Sequence, residues 1–333
     1  ECPARAGGSA WAELDGPGGL DVLVLTFAGL SLLWVALFYA LVWTEHWWAA
    51  NVPPSSKAHE NDRYWAARNL IGILHACLVS ALTVPAVAVL AGDPDWIRYA
   101  SSQNLGTCRA GADLAGALPL VSHAACVAVA FAGLAFTSFT AVDVVISSAH
   151  GLATPDFIIH HLAFVGAGLI IRGHCMLPYN SAILLAMEVS TPFLNYMLFY
   201  RHRGDAYNAS VSIAGVVFVV FFVVFRLALN SYGAGLMLLR GRAIMPARVP
   251  AWQARFLLGA VALGSAVQFF WLPSIAKNFV EGLVGLVRGR DDKEGGSGAS
   301  SWSTTCSAAG SDHSSGASAI SSEEHEPSGA RGA

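Results

Sequence analysis

Charge is what this chain of 333 residues has least of: Asp, Glu, Lys and Arg together make up 12% of it. A soluble globular domain is about one-quarter charged, so this supply cannot furnish an ordinary water-facing surface. Net basicity is missing too. The formal charge is −3, which excludes the electrostatic footprint of a nucleic-acid-binding protein. The six cysteines form no CxxC pair or disulfide framework, and Cys77 and Cys126 fall inside apolar runs. Nor do the histidines form a metal box. Helical ligands usually stand three or four residues apart, whereas His150, His160, His161 and His174 give no HxxxH or HxxHH pattern. Neither a metal nor an organic cofactor is expected.

What is present is hydrophobic: 55% of the residues, with a mean hydropathy of +0.53. The apolar residues come in blocks of the length that crosses a bilayer, for which a helix needs about 20 residues. Seven such blocks run from Val22 to Trp43, Leu70 to Leu90, Leu114 to Val142, Phe157 to Ile171, Ala182 to Tyr200, Val211 to Asn230 and Phe256 to Leu272. The fourth and seventh are short, so they are tilted, re-entrant or extended by polar residues. The runs do not alternate, and hydrocarbon admits only helices or closed barrels, so the fold class is all-α: a transmembrane bundle of about seven spans. Amphipathic rings mark the edges: Trp43, Trp47 and Trp48 end the first span, Tyr64 and Trp65 precede the second, and Trp96 and Tyr99 follow it. Basic residues divide almost evenly between the two sides, so the positive-inside rule carries little orientation.

The sequence divides into an N-terminal extension (1–21), a first span with a polar loop (22–62), a membrane domain (63–275) and a tail (290–333). The chain opens on Glu1, which reads as a processed or partial product. Its first apolar run is too long for a signal-peptide core and lacks a basic lead, so it reads as a retained span. The tail is rich in Gly, Ser and acid and reads as disordered.

Function is then sought in polar groups at membrane depth, where each charge needs a partner or a wet cavity. The candidates are His75, His123, Asp143, His160, His161, His174, Glu188, Asn195 and Arg226. In "MEVSTPFLN", Pro192 follows Glu188 by four residues, so it frees the Glu188 carbonyl and kinks the helix beside that carboxylate. Thr191 and Asn195 share its face. The adjacent rings of His160 and His161 diverge by about 100° on a helix, which argues against one shared metal and for proton transfer or headgroup hydrogen bonding. The triplet Asp-Arg-Tyr in "NDRYW" suggests a seven-span receptor, but it precedes the second span rather than ending the third.

Taken in order, several pieces resemble the TLC domain family of the TRAM, Lag1 and CLN8 proteins. They are "RNLIGILHACLVS" with Arg68 and His75, "SFTAVDVVI" with Asp143, "DFIIHHLAF" with the paired histidines, "MEVSTPFLNYMLFY", and "VVFRLALN" with Arg226. The resemblance runs from about Arg63 to Leu272. In ceramide synthases of the family, the histidine pair is followed by a His-Asp motif with a further aspartate three residues on. Here those positions hold Met187, Glu188 and Thr191, so the chain looks more like the TLCD branch, implicated in membrane-lipid composition.

The resemblance implies a membrane lipid or acyl lipid as partner, and residence in the endoplasmic reticulum, with the plasma membrane as alternative. Two readings follow. In one, the protein binds lipid and influences lipid homeostasis through His75, Asp143, Thr191, Asn195 and Arg226. In the other, it is a ceramide-synthase-like lipid N-acyltransferase using acyl-CoA, with His160, His161 and Glu188 catalytic.

Overall fold

The computed structural model describes residues 20–93, 120–174, 176–247 and 249–294. The N-terminal segment 1–19, the segment 94–119 with Trp96 and Tyr99, and the Gly/Ser-rich tail from 295 onward lie outside them. Among the described residues the structure is helical without strands, and seven helices are long and apolar enough to cross a membrane. They are α1 (Leu20–Trp43), α2 (Arg63–Gly92), α3 (Leu120–Ala149), α4 (Pro155–Gly173), α5 (Pro178–Tyr200), α6 (Asp205–Ile244) and α7 (Ala251–Glu294). The chain is a multi-pass membrane protein.

Most helices outrun the apolar blocks because polar residues join their ends. Asp62 is the clearest case: its carboxylate accepts from the backbone N–H groups of Tyr64 and Trp65 at 2.7 and 3.1 Å, capping α2 seven residues before the apolar run. The Asp-Arg-Tyr triplet is thus a helix start. Pro155 opens α4 in the first turn, where its missing N–H costs nothing. At the C-terminal end of α1 and just past it, Trp43 and Trp47 stay 76% and 70% exposed, as headgroup-level rings do.

Six helices close a ring in the order α2, α3, α4, α7, α6, α5 and back to α2, while α1 packs outside against α2 and α3. Two apolar clusters fill one end of the ring. Leu90, Cys126, Val129, Tyr179 and Ile183 join α2, α3 and α5. Leu177, Met237, Ile244, Val249 and Leu257 join α4, α6 and α7. Close approach needs small residues, since a Cβ on Gly233 would stand 2.7 Å from the Ile183 side chain. The opposite end carries the polar groups.

That polar end is locked by the loops. Glu60, fully buried, accepts from Ser55 Oγ at 2.6 Å and from His202 Nδ1 at 2.9 Å, with Arg201 Nη2 at 3.4 Å. Arg203 donates to the carbonyls of Pro53, Phe199 and Glu60 at 2.7–2.8 Å. Gly204, at φ +107°, makes the following turn, a conformation that side chains disfavour. The loop after α1 is thereby clamped to the loop between α5 and α6. Sequence reasoning weighed these arginines only as loop charges.

Burial pushes the Glu60 carboxyl up, but the hydrogen bonds from Ser55 and His202 and the positive charges of His202 and Arg201 outweigh it and hold it below its ordinary value. A carboxyl lowered on folding adds stability above the ordinary carboxylate range, and that stability is lost as pH falls through the folded value. Glu60→Gln is therefore expected to cost about 2–4 kcal/mol at neutral pH. Thermal unfolding of purified protein should show the gap between wild type and variant narrowing as the medium is acidified below that range.

Candidate functional site

The ring helices present ionisable and polar side chains toward one another at two levels. The first is nearer the clamp, where Arg68, Asp143 and His161 stand five or six residues inside α2, α3 and α4, about 8–9 Å along each helix. Arg68 grips Asp143 with both prongs, Nε to Oδ1 at 2.8 Å and Nη2 to Oδ2 at 3.1 Å, a bidentate pair. The guanidinium also lies 4.5 Å over the Phe157 ring. Ser147 donates to Asp143 Oδ1 at 3.0 Å. His161 completes the group, with Nε2 3.4 Å from Asp143 Oδ2. Its Nδ1 is 2.9 Å from the Phe157 carbonyl, which only accepts, so that nitrogen carries the hydrogen. Nδ1 of His161 is therefore committed as a donor, and Nε2 faces Asp143 Oδ2 at ion-pair distance.

The second level is deeper. Glu188 lies twelve residues before the end of α5 and His75 twelve after the start of α2, both about 18 Å along their helices. The bend expected at Pro192 takes the form of a 3₁₀ turn over Ala186–Ser190. From the sequence the Glu188 carbonyl is expected to be free. The Glu188 carbonyl is not free, because the tighter i to i+3 pattern lets Thr191 donate to it in place of the proline. The same turn exposes the hydroxyls of Ser190 and Thr191 toward α6. There Arg226 occupies a π-helical stretch, Phe222–Leu229, a widened turn of the kind frequent at functional sites. Arg226 donates from Nε to Ser190 Oγ at 2.8 Å and from Nη2 to Thr191 Oγ1 at 2.7 Å. Its Nη2 stands 3.7 Å from Glu188 Oε1, close enough for an ion pair and too far for a hydrogen bond.

The remaining candidates fill the space between these groups. His75 is 2% exposed, stacks on Phe139 at 3.9 Å and edges onto Trp34. Its Nε2 has no hydrogen-bond partner, so at the depth of Glu188 it is a buried polar atom left open. His160 turns away from His161: its ring meets Phe164 edge-on at 4.5 Å and lies 6.1 Å from Trp271 of α7. It is within electrostatic reach of Glu188 and Arg226. Asn195 rests its amide over Gly72, where a Cβ would come within 2.7 Å of Nδ2.

The eight expected site residues thus divide. Asp143 and His161 belong to the Arg68 group, and Glu188, Thr191 and Arg226 to the deeper one. His75 and His160 lie in electrostatic reach of Glu188, and Asn195 packs on α2. Two wider candidates fall elsewhere: His174 Nε2 meets Gln253 Oε1 at 2.5 Å, tying α4 to α7, and His123 sits in the first turn of α3, about 30 Å along that helix from Asp143. Ser147, Ser190 and Trp271 were not anticipated, since a serine or tryptophan in an apolar run carries no distinguishing signal until its neighbours are known. Among the described residues, no three of His, Cys, Asp and Glu gather as metal ligands.

The family model described as the TLC domain matches residues 22–277, most of the chain and all six ring helices. The chain belongs to the TLC domain family. The match takes in α1 as well as the ring. A local likeness to TLC domain-containing protein 4-B of Xenopus laevis reaches 36% identity over 73 residues, 22% of this chain. That likeness spans 28% of the relative's own length. No solved structure matches.

In this TLC domain, the Arg68–Asp143 pair joins the first two ring helices. Removing only Arg68 leaves a carboxylate in the bundle without its main counter-charge. Arg68→Gln is expected to destabilise by about 2–4 kcal/mol, and adding Asp143→Asn to recover part of that loss, because no net charge is then stranded. Unfolding of the two single variants and the double variant in one detergent measures the coupling.

Proposed function

We propose that this protein binds a membrane lipid or fatty-acyl lipid inside its helix ring and so influences the lipid composition of its membrane, without turning the lipid over. The observation that carries this reading is a set of unmet hydrogen-bonding groups at mid-membrane depth. Arg226 uses Nε and Nη2 on Ser190 and Thr191, which leaves Nη1 without an acceptor among the described residues. No donor there reaches the Glu188 carboxylate within hydrogen-bond distance. His75 Nε2 is buried and unpartnered. Buried without a partner, His75 Nε2 costs about 1–3 kcal/mol, and a ligand that reaches it together with the partly exposed Arg226 and Glu188 side chains meets all three.

The acyltransferase reading needs a histidine free to accept a proton or an acyl group. His161 is tied through Nδ1 to the Phe157 carbonyl, and His160 packs its ring edge-on against Phe164 with Trp271 at 6.1 Å. Met187 occupies the position where the acyltransferase branch has a histidine, and its side chain is buried. Binding without turnover is the reading these groups support. The endoplasmic reticulum is the membrane proposed for it.

Lipids extracted from purified wild type should include a retained acyl lipid that is depleted in an Arg226→Gln variant. Incubation with acyl-CoA and amine or alcohol acceptors should yield no acylated product. Product formation that His161→Ala abolishes in folded protein would replace binding by catalysis.

A further inference from the structure

We infer that the mid-membrane site selects a lipid with an uncharged, hydroxyl-bearing headgroup of the acylglycerol class over an anionic one, and that Glu188 sets this choice. The inference rests on the lipid-binding reading and narrows it.

An anion site requires positive charge in excess of what the protein neutralises. In this ring the arginines at both levels are already matched. Arg68 holds Asp143 through two hydrogen bonds, and Arg226 faces Glu188 at 3.7 Å. A phosphate or free carboxylate drawn to Arg226 Nη1 would bring its charge against the Glu188 carboxylate in a medium that screens poorly. Like charges so placed disfavour binding. The unmet groups describe a different guest. Arg226 Nη1 offers a donor, the Glu188 carboxylate an acceptor, and the imidazoles of His75 and His160 further nitrogens, the first buried and unpartnered. Neighbouring hydroxyl and ester groups supply both polarities at once: the hydroxyl donates to Glu188 while an ester carbonyl accepts from Arg226. A headgroup of this kind adds no net charge to a pair that is already balanced.

Glu188 is also placed to be altered alone. Arg226 is held by Ser190 and Thr191, not by a hydrogen bond to Glu188, so an isosteric amide leaves the guanidinium in position. Glu188→Gln then strands one positive charge, and the preference should invert.

The test uses the full chain in detergent and two ligands with identical acyl chains, dioleoylglycerol and dioleoyl phosphatidic acid, each competing against radiolabelled dioleoylglycerol. Wild type should favour dioleoylglycerol by about tenfold or more, and Glu188→Gln should favour phosphatidic acid. If wild type favours phosphatidic acid and Arg226→Gln abolishes its binding, the lipid site stands and this inference falls. If Glu188→Gln leaves selectivity unchanged, Glu188 does not set it. Retention of neither lipid by wild type overturns the site and the inference together. The wild-type comparison decides the matter even where a variant fails to fold.

Discussion

A guanidinium or carboxylate at the centre of a membrane helix costs about 2.5–3.5 kcal/mol on insertion scales, and a neighbouring helix that brings the opposite charge is the usual remedy. That constraint organises this bundle. Arg68 on α2 meets Asp143 on α3, and Arg226 on α6 faces Glu188 on α5. His161 on α4 ties the fourth helix to the same carboxylate. Each contact crosses between ring neighbours, so charge matching and helix order are one arrangement seen twice. At the water-facing end, Glu60 with Arg201 and His202 repeats the device between loops.

The two levels are matched unequally. The Arg68–Asp143 pair is bidentate and further satisfied by Ser147, which makes it a structural fastening. The Arg226–Glu188 pair is looser: its charges face each other without a hydrogen bond, and the arginine leans on two hydroxyls instead. Two neighbouring helices each leave the α form in this region, α5 as a 3₁₀ turn at Ala186–Ser190 and α6 as a π turn at Phe222–Leu229, and that geometry depends on both. Irregular backbone at membrane depth is tolerated where it is buried in protein or lines a cavity. Two departures side by side, next to the unmet groups, therefore set the deeper level apart from the fastening above it.

Span number, helical class and the identity of the deep polar residues were legible in the sequence, because runs as apolar as Val211–Asn230 leave a lone Arg226 conspicuous. Pro192 gave away the break in α5, though not its form: whether a proline yields a free carbonyl or a 3₁₀ turn depends on whether Thr191 can donate one residue early. Pairing was not legible. Arg68 and Asp143 are 75 residues apart in sequence, and only the ring order decides that they meet. The clamp was invisible for a similar reason, since Glu60 lies in a polar loop and looks solvated until Arg203 and His202 arrive from the loop after α5.

The central claim is that opposite charges matched around the ring leave a polar set at mid-depth open to a lipid headgroup. An electron cryomicroscopy structure of the full chain in lipid nanodiscs tests it most directly. The account predicts headgroup density within hydrogen-bonding distance of Arg226 Nη1 and the Glu188 carboxylate, with Arg68 and Asp143 still joined. Direct bidentate closure of Arg226 on Glu188, with no density between α5 and α6 and with His160 turned out toward the bilayer, would contradict it.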